Sequence, residues 1–222
     1  MTAASDPMPL LPADAPGLRA GAADRAASEA MQRRILETAE RLFRQYGYRK
    51  TTVADIAAEL GMSSANVYRF FASKNAIVEA VTRKATLELA AAVRAATGRP
   101  GLDAAQRLEA FVRVTFATVR ERCLSGNHLH ELVQEAFDRS WPAIHDHKLA
   151  MRSLLAGIIA EGMAAGELAP GDPEEAAACF QLAMVAALHP MLIEQCLRDG
   201  EDLEARIAPL LRLALRGLGV RA

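Results

Sequence analysis

The sequence predicts an all-α protein, a small N-terminal three-helix unit joined to a larger helical bundle. Three observations carry this. Alanine and leucine dominate while β-branched residues are sparse, a composition that favours helix over strand. Apolar residues recur three and four apart through most of the chain, and no stretch alternates with period two. Glycine, proline and Ser/Thr/Asp caps fall between those segments, where helices must stop and start.

Residues 1–27 are rich in Ala, Pro, Asp and Gly without a hydrophobic period and read as a disordered tail. Periodicity begins at Ser28, an N-cap with Glu29 in the first turn. Ile35, Leu36, Ala39, Leu42, Phe43 and Tyr46 form one apolar stripe, and Gly47 ends that helix. Thr52 caps a second helix, with Asp55 where a capping box places its acid, and Val53, Ile56, Ala57 and Leu60 carry it to Gly61. Ser63 caps a third helix that Phe71 and Ala72 end, and Ser73 caps a fourth running to about Thr97. After the breaker "TGRPGLD", Asp103 opens a fifth, on which Leu108, Phe111, Val112, Thr115, Phe116, Val119 and Cys123 share a face. Further helices are expected at about 127–138, 141–165, 173–188, 190–198 and 203–218. The predicted division is a tail (1–27), an N-terminal unit (28–84) and a larger unit (85–222).

The net charge of −1 attracts neither nucleic acid nor acidic lipid in bulk, but its distribution is uneven. Residues 28–84 hold ten Lys/Arg against six Asp/Glu, a local +4, while residues 85–222 carry −4. A basic unit on an acidic protein points to a polyanion partner. No uninterrupted apolar run reaches the ~18 residues of a membrane span. The N-terminus lacks the basic-then-apolar order of a secretion signal. A cytoplasmic protein with no membrane partner is expected. Cys123, Cys179 and Cys196 are scattered along apolar helical patterns and read as inert core thiols, with redox sensing as the second reading.

On a wheel of about 100° per residue, Ser64, Ala65, Tyr68 and Arg69 of the third helix fall in one arc, opposite Val67, Phe70 and Phe71. The apolar side packs on the two preceding helices, and a hydroxyl, a methyl, a phenol and a guanidinium face outward. A short helix crossing its predecessor through a Gly-containing turn is a helix-turn-helix, whose second helix has the width to enter a DNA major groove. An ordinary helical hairpin has the same spacing.

The stretch from Ile35 to Val81, with "ERLF…YG", "TTVADIAAELG", a spaced "S…VY.F" and "SK" opening the next helix, resembles the DNA-binding domain of the tetracycline-repressor (TetR) family of bacterial regulators. The "AEGMAAGELAPGDPEEAA" turn is also common in that family. The resemblance implies a helix-turn-helix DNA-binding domain followed by a helical-bundle domain for ligand binding and dimerisation. It places Thr51 and Thr52 where the family contacts phosphate, although capping alone would also explain them. Ser63, Ser64, Ala65 and Asn66 occupy the stretch that reaches base edges. Tyr68 and Lys74 match backbone-contacting residues, and Arg69 is suited to a phosphate or a guanine. Phe70 stands where the family often has histidine; a phenyl ring cannot donate to phosphate, so this position is expected in the core.

The resemblance further implies a repressor that binds a palindromic double-stranded operator as a homodimer and is released by a small-molecule inducer, with no cofactor. Activation, or metal sensing on the same fold, is the alternative. Paired helices would need an apolar seam, and Phe180, Met184, Ala187, Ile207, Leu211 and Leu215 are the candidates, unless they face the chain's own core. Phe111, Phe116, Phe137, Trp141, Met151, Met163, Phe180 and Met184 are large or pliable side chains on helices expected to converge, as inducer pocket or as plain core.

"NHLHE" and "HDHK" place His128, His130, His145 and His147 near Glu131, Glu135 and Asp146. Histidines two apart on a helix diverge by about 200°, so neither pair chelates alone. A cross-helix site with Glu131 is the remaining metal reading, and no metal is expected. His189 should lie at a helix break. No nucleophile motif, phosphate loop or metal signature supports an enzyme.

Overall fold

The computed structural model describes residues 16–124, 135 and 142–220. Among them are nine helices: α1 (Pro16–Tyr46), α2 (Val53–Glu59), α3 (Ser64–Tyr68), α4 (Lys74–Thr97), α5 (Ala104–Leu124), α6 (Pro142–Ala164), α7 (Pro173–Leu188), α8 (Pro190–Arg198) and α9 (Leu203–Gly217). The helix expected at about 127–138 lies outside the described residues, apart from Glu135.

α1 starts twelve residues before the expected cap at Ser28, so residues 16–27 are helical and not tail. Pro16 suits a first helical turn, and the Ala-rich run after it has high intrinsic helicity without needing an apolar face. That is why periodicity could not detect it. Residues 24–29 are exposed on every side.

Two buried clusters organise the chain, and α4 runs through both. Ile35, Ala39, Leu42 and Phe43 of α1 meet Val53, Ile56 and Ala57 of α2, Val67 of α3, and Ile77, Val78 and Val81 of α4. Farther along the same helix, Leu89, Ala90 and Val93 enter the larger cluster with Leu108, Phe111 and Val112 of α5 and Leu155 and Ile159 of α6. At 24 residues, α4 is about 36 Å long, enough to link both cores without a joint.

The turn between α6 and α7 is tied back onto α5. A Glu167 carboxylate oxygen accepts from the amide of Ala104 at 2.7 Å, and Leu168 is buried. Gly162 lets α6 cross α5 closely, because a Cβ there would stand 2.5 Å from that of Ala104. Asp172 caps α7 by accepting from the amides of Glu174 and Glu175, with Pro173 in the first turn. His189 separates α7 from α8, as expected.

The expected dimer seam points inward. Phe180, Met184 and Ala187 on α7 and Ile207 and Leu211 on α9 are buried in the chain's own cluster, and Leu215 packs against it. The five buried side chains are turned away from a second copy, while Leu215 keeps part of its surface open. The opposite faces are open: Leu182 is 68% exposed, Val185 41% and Leu213 68%. Cys179 is exposed on α7 while Cys196 is buried, so the core-thiol expectation fails for Cys179. Within Pro173–Arg198, the stretch of α7 and α8, an 18-residue window has mean hydropathy 1.8, long and apolar enough by composition to cross a membrane, yet only 28% of that window is buried in the chain.

Phe111, Phe116, Met151, Phe180 and Met184 are brought together as buried core, and Met163 packs against them. Phe137 and Trp141 lie outside the described residues.

Candidate nucleic-acid interface

α2 begins with a complete capping box. The Thr52 hydroxyl accepts from the Asp55 amide at 3.1 Å, and an Asp55 carboxylate oxygen accepts from the Thr52 amide at 2.7 Å. The same carboxylate oxygen also takes the Thr52 hydroxyl proton at 2.7 Å. These bonds from Thr52, with Lys74 adding attraction, hold the Asp55 carboxyl below its usual range. Thr52 is exposed, so a phosphate could reach it by redirecting that proton.

Thr51 is different. It is 2% exposed, and its hydroxyl donates to the carbonyls of Gly47 at 2.9 Å and Leu42 at 3.3 Å. The side chain ties the α1–α2 turn together and is closed to phosphate, which corrects its expected role.

α2 ends in a Schellman turn. Gly61 has φ +67°, its amide donates to Ala58, and the Met62 amide donates to Ala57. The reversal sets Ser63 as the cap of α3, where its hydroxyl accepts from the Asn66 amide. α3 is held from beneath by Val67, which is 0% exposed, and by partly buried Phe70 and Phe71. It stops at Tyr68, three residues short of the expected Phe71. Phe70 packs against the core, as its ring requires.

What faces outward is Ser63, Ala65, Asn66, Tyr68 and Arg69, with Ser64 partly covered. Tyr68 is 50% exposed. The small residues come first, so the start of α3 presents little beyond backbone and short polar groups, while its end presents a phenol and a guanidinium.

Lys74 stands in the first turn of α4, after its Ser73 cap. Its ammonium donates to the Tyr48 carbonyl and lies 4.1 Å from the centroid of the Tyr48 ring. Tyr48 itself is buried, edge-on to Phe43, with its hydroxyl donating to Asn75 Oδ1 at 2.8 Å. Periodicity had put Tyr46 in the core and passed over Tyr48. Gly47, at φ +87°, turns the chain so that Tyr48 points in and Tyr46 is left half exposed. Arg49 and Lys50, also passed over, are exposed in the turn that follows.

Of the four histidines in the two paired motifs, His145 is exposed and His147 partly buried, whereas His128, His130 and Glu131 lie outside the described residues. Among the described residues no cluster of three or more His, Cys, Asp or Glu side chains is placed to hold a metal.

Two family models match the chain. One, described as bacterial regulatory proteins of the tetR family, covers residues 35–81. The other, described as the tetracyclin repressor-like C-terminal domain, covers residues 104–208. The HTH-type transcriptional repressor Rv1474c of Mycobacterium tuberculosis is 39% identical over 62 residues, 28% of this chain and 33% of that protein. The HTH-type transcriptional repressor KstR2 of Rhodococcus jostii is 34% identical over 85 residues, 38% of this chain and 41% of that protein. The matches thus span well under half the length of either curated relative. Among solved structures, a putative TetR-family regulator from Mesorhizobium loti superposes with TM-score 0.68 at 20% identity, covering 85% of this chain and 96% of that one. A tetR-family regulatory protein from Rhodococcus superposes with TM-score 0.59 at 26% identity, covering 86% and 98%.

Proposed function

The chain belongs to the TetR family of bacterial DNA-binding regulators, and from that premise we propose that it is a repressor that binds a palindromic operator as a homodimer and leaves it when a small molecule binds. The observation that carries the reading is the outward face of α3, with Ala65, Asn66, Tyr68 and Arg69 exposed on a helix fixed from behind by Val67. That face would enter the major groove, with Thr52 and Lys74 at phosphates on either side.

A single recognition helix makes few contacts, so two copies would read half-sites about 34 Å apart. The dimer would form through the open faces of α7 and α9, around Leu182, Val185 and Leu213. An apolar helix left mostly uncovered within one chain is what such a bundle would bury. The inducer would bind in the larger unit and favour a conformer whose recognition helices no longer match the half-sites. The protein would act in the cytoplasm, where the DNA is, without a catalytic step of its own.

The test is protection of DNA flanking its own gene at two salt concentrations, with Arg69→Ala and Tyr68→Phe alongside. A two-fold symmetric footprint, weaker at high salt and weaker in Arg69→Ala, supports the reading. Absence of specific binding there and in a genome-wide fragment selection sinks it.

A further inference from the structure

Nδ1 of His147 is, among the described residues, the one fully enclosed side-chain nitrogen or oxygen that has no hydrogen-bond partner. Such orphans are rare and call for a missing partner. Its place in the fold is specific. Ile144, three residues earlier on α6, packs against the N-terminal core, while Met151, four residues later, is buried in the larger one. Residues at these spacings share a helix face, so His147 stands at the level where the two cores meet.

Arg122, in the last turn of α5, comes to the same level from the other side. It donates to the carbonyl of Ala85, which lies on α4 between Val81 of one core and Leu89 of the other. It also reaches a Glu88 carboxylate oxygen at 3.5 Å. Burial lowers the Arg122 pKa in spite of Glu88, Glu40 and Glu121, and burial also lowers that of His147, with the Arg122 charge adding to it.

Building on the inducer-release reading above, we propose that Arg122 and His147 form the acid-recognising end of the inducer site, and that the inducer is an organic acid with an apolar body. Its carboxylate would accept from the Arg122 guanidinium and from His147 Nδ1–H, satisfying the orphan nitrogen, with the body lying toward the cluster that holds Met151. The position also supplies a route to the DNA-binding unit. Glu88 pairs with Lys84 at 3.9 Å, Lys84 with Glu40 of α1 at 3.2 Å, and Glu40 with Arg44 at 2.8 Å. An acid that draws Arg122 away from Glu88 changes the first link of that chain.

The experiment uses the full chain with its operator fragment. The probes are octanoate, dodecanoate, benzoate and phenylacetate, each beside the neutral alcohol of the same body. Thermal melting reads binding, and fluorescence anisotropy of the labelled operator reads release. At least one carboxylate should raise the melting temperature and release DNA while its alcohol does neither. His147→Leu should bind the operator like wild type yet need about tenfold or more carboxylate for release, the loss expected from one charge-assisted hydrogen bond. Arg122→Gln, which also removes the pair with Glu88, should show a correspondingly smaller carboxylate-induced rise in melting temperature. His147→Leu removes an unsatisfied group and should fold at least as stably, so it keeps the test open if Arg122→Gln does not fold. Carboxylates without effect, alcohols as effective as acids, or an unaltered response in His147→Leu overturn the inference. With operator binding intact, those outcomes leave the repressor reading standing; a wild type that fails to bind operator sinks that reading instead.

Discussion

The Lys74 ammonium lies 4.1 Å from the centroid of the Tyr48 ring and donates to that residue's carbonyl, so one side chain at the start of α4 is aimed by a residue 26 positions earlier. The proposed backbone-contacting cation is thus held in place before any DNA arrives. Holding it this way reduces the side-chain entropy lost on binding.

Tyr48→Phe keeps the ring and loses only the hydroxyl bond to Asn75, so it should cost ~1 kcal/mol of stability and leave operator affinity near wild type. Lys74→Ala should weaken binding at all sequences and reduce the salt slope by about 0.9, one phosphate contact. Urea melts and salt-dependent anisotropy measure the two effects. If Tyr48→Phe lowers affinity as much as Lys74→Ala, the ring is not what orients the ammonium.

Adjacent threonines should separate cleanly. Thr51→Val leaves the Leu42 and Gly47 carbonyls without their hydroxyl donor, at ~1–3 kcal/mol of stability, with the salt slope unchanged. Thr52→Val removes the cap of α2, costing ~1 kcal/mol, and should also lower the slope by about 0.9 if the hydroxyl meets a phosphate. Equal slopes for the two variants would count against a phosphate role for Thr52.

The outer faces of α7 and α9 and the inner face of α7 make opposite predictions. Leu182→Arg with Leu213→Arg places charge on exposed positions and should give monomers by sedimentation at micromolar concentration, with the helical content retained. Met184→Ala, on a residue 1% exposed, should cost ~2–5 kcal/mol through the cavity it leaves, with the dimer intact. A charged double variant that still sediments as a dimer would place the interface elsewhere.

Helix ends were the most legible part of the sequence, because a cap is a local chemical event. Thr52, Ser63, Ser73 and the Gly61 stop all stand where their side chains or backbone freedom implied. Three features were hidden, each for its own reason. The start of α1 rests on alanine propensity and leaves no apolar period to detect. Tyr46 and Tyr48 exchanged roles because a left-handed Gly47 resets the helical phase between them. The stripe of Phe180, Met184 and Ala187 on α7 was legible, but not what covers it, since that is decided by the neighbouring helices of the chain's own core. Of the proposed DNA face, all but Thr51 is at least partly accessible, and no helical wheel could foretell that the Thr51 hydroxyl turns back to α1.

His147 makes stability depend on pH with a definite sign. Burial, with the Arg122 charge beside it, depresses its pKa from the ordinary 6.5, and burial with Lys148 nearby does the same at His189. The unfolded chain then takes up protons that the folded chain resists. Stability should be fully present above about pH 6.5 and should fall as the pH drops through the lower folded values. In His147→Leu one of the two groups is gone, so the decline in urea midpoint between about pH 7.5 and 5 should be shallower. The remainder belongs to His189, and His189→Gln added to the first change should flatten it further. Parallel wild-type and His147→Leu curves across that range would mean that the imidazole titrates as it does in water. The enclosure of its Nδ1 would then be broken often enough for solvent to reach it.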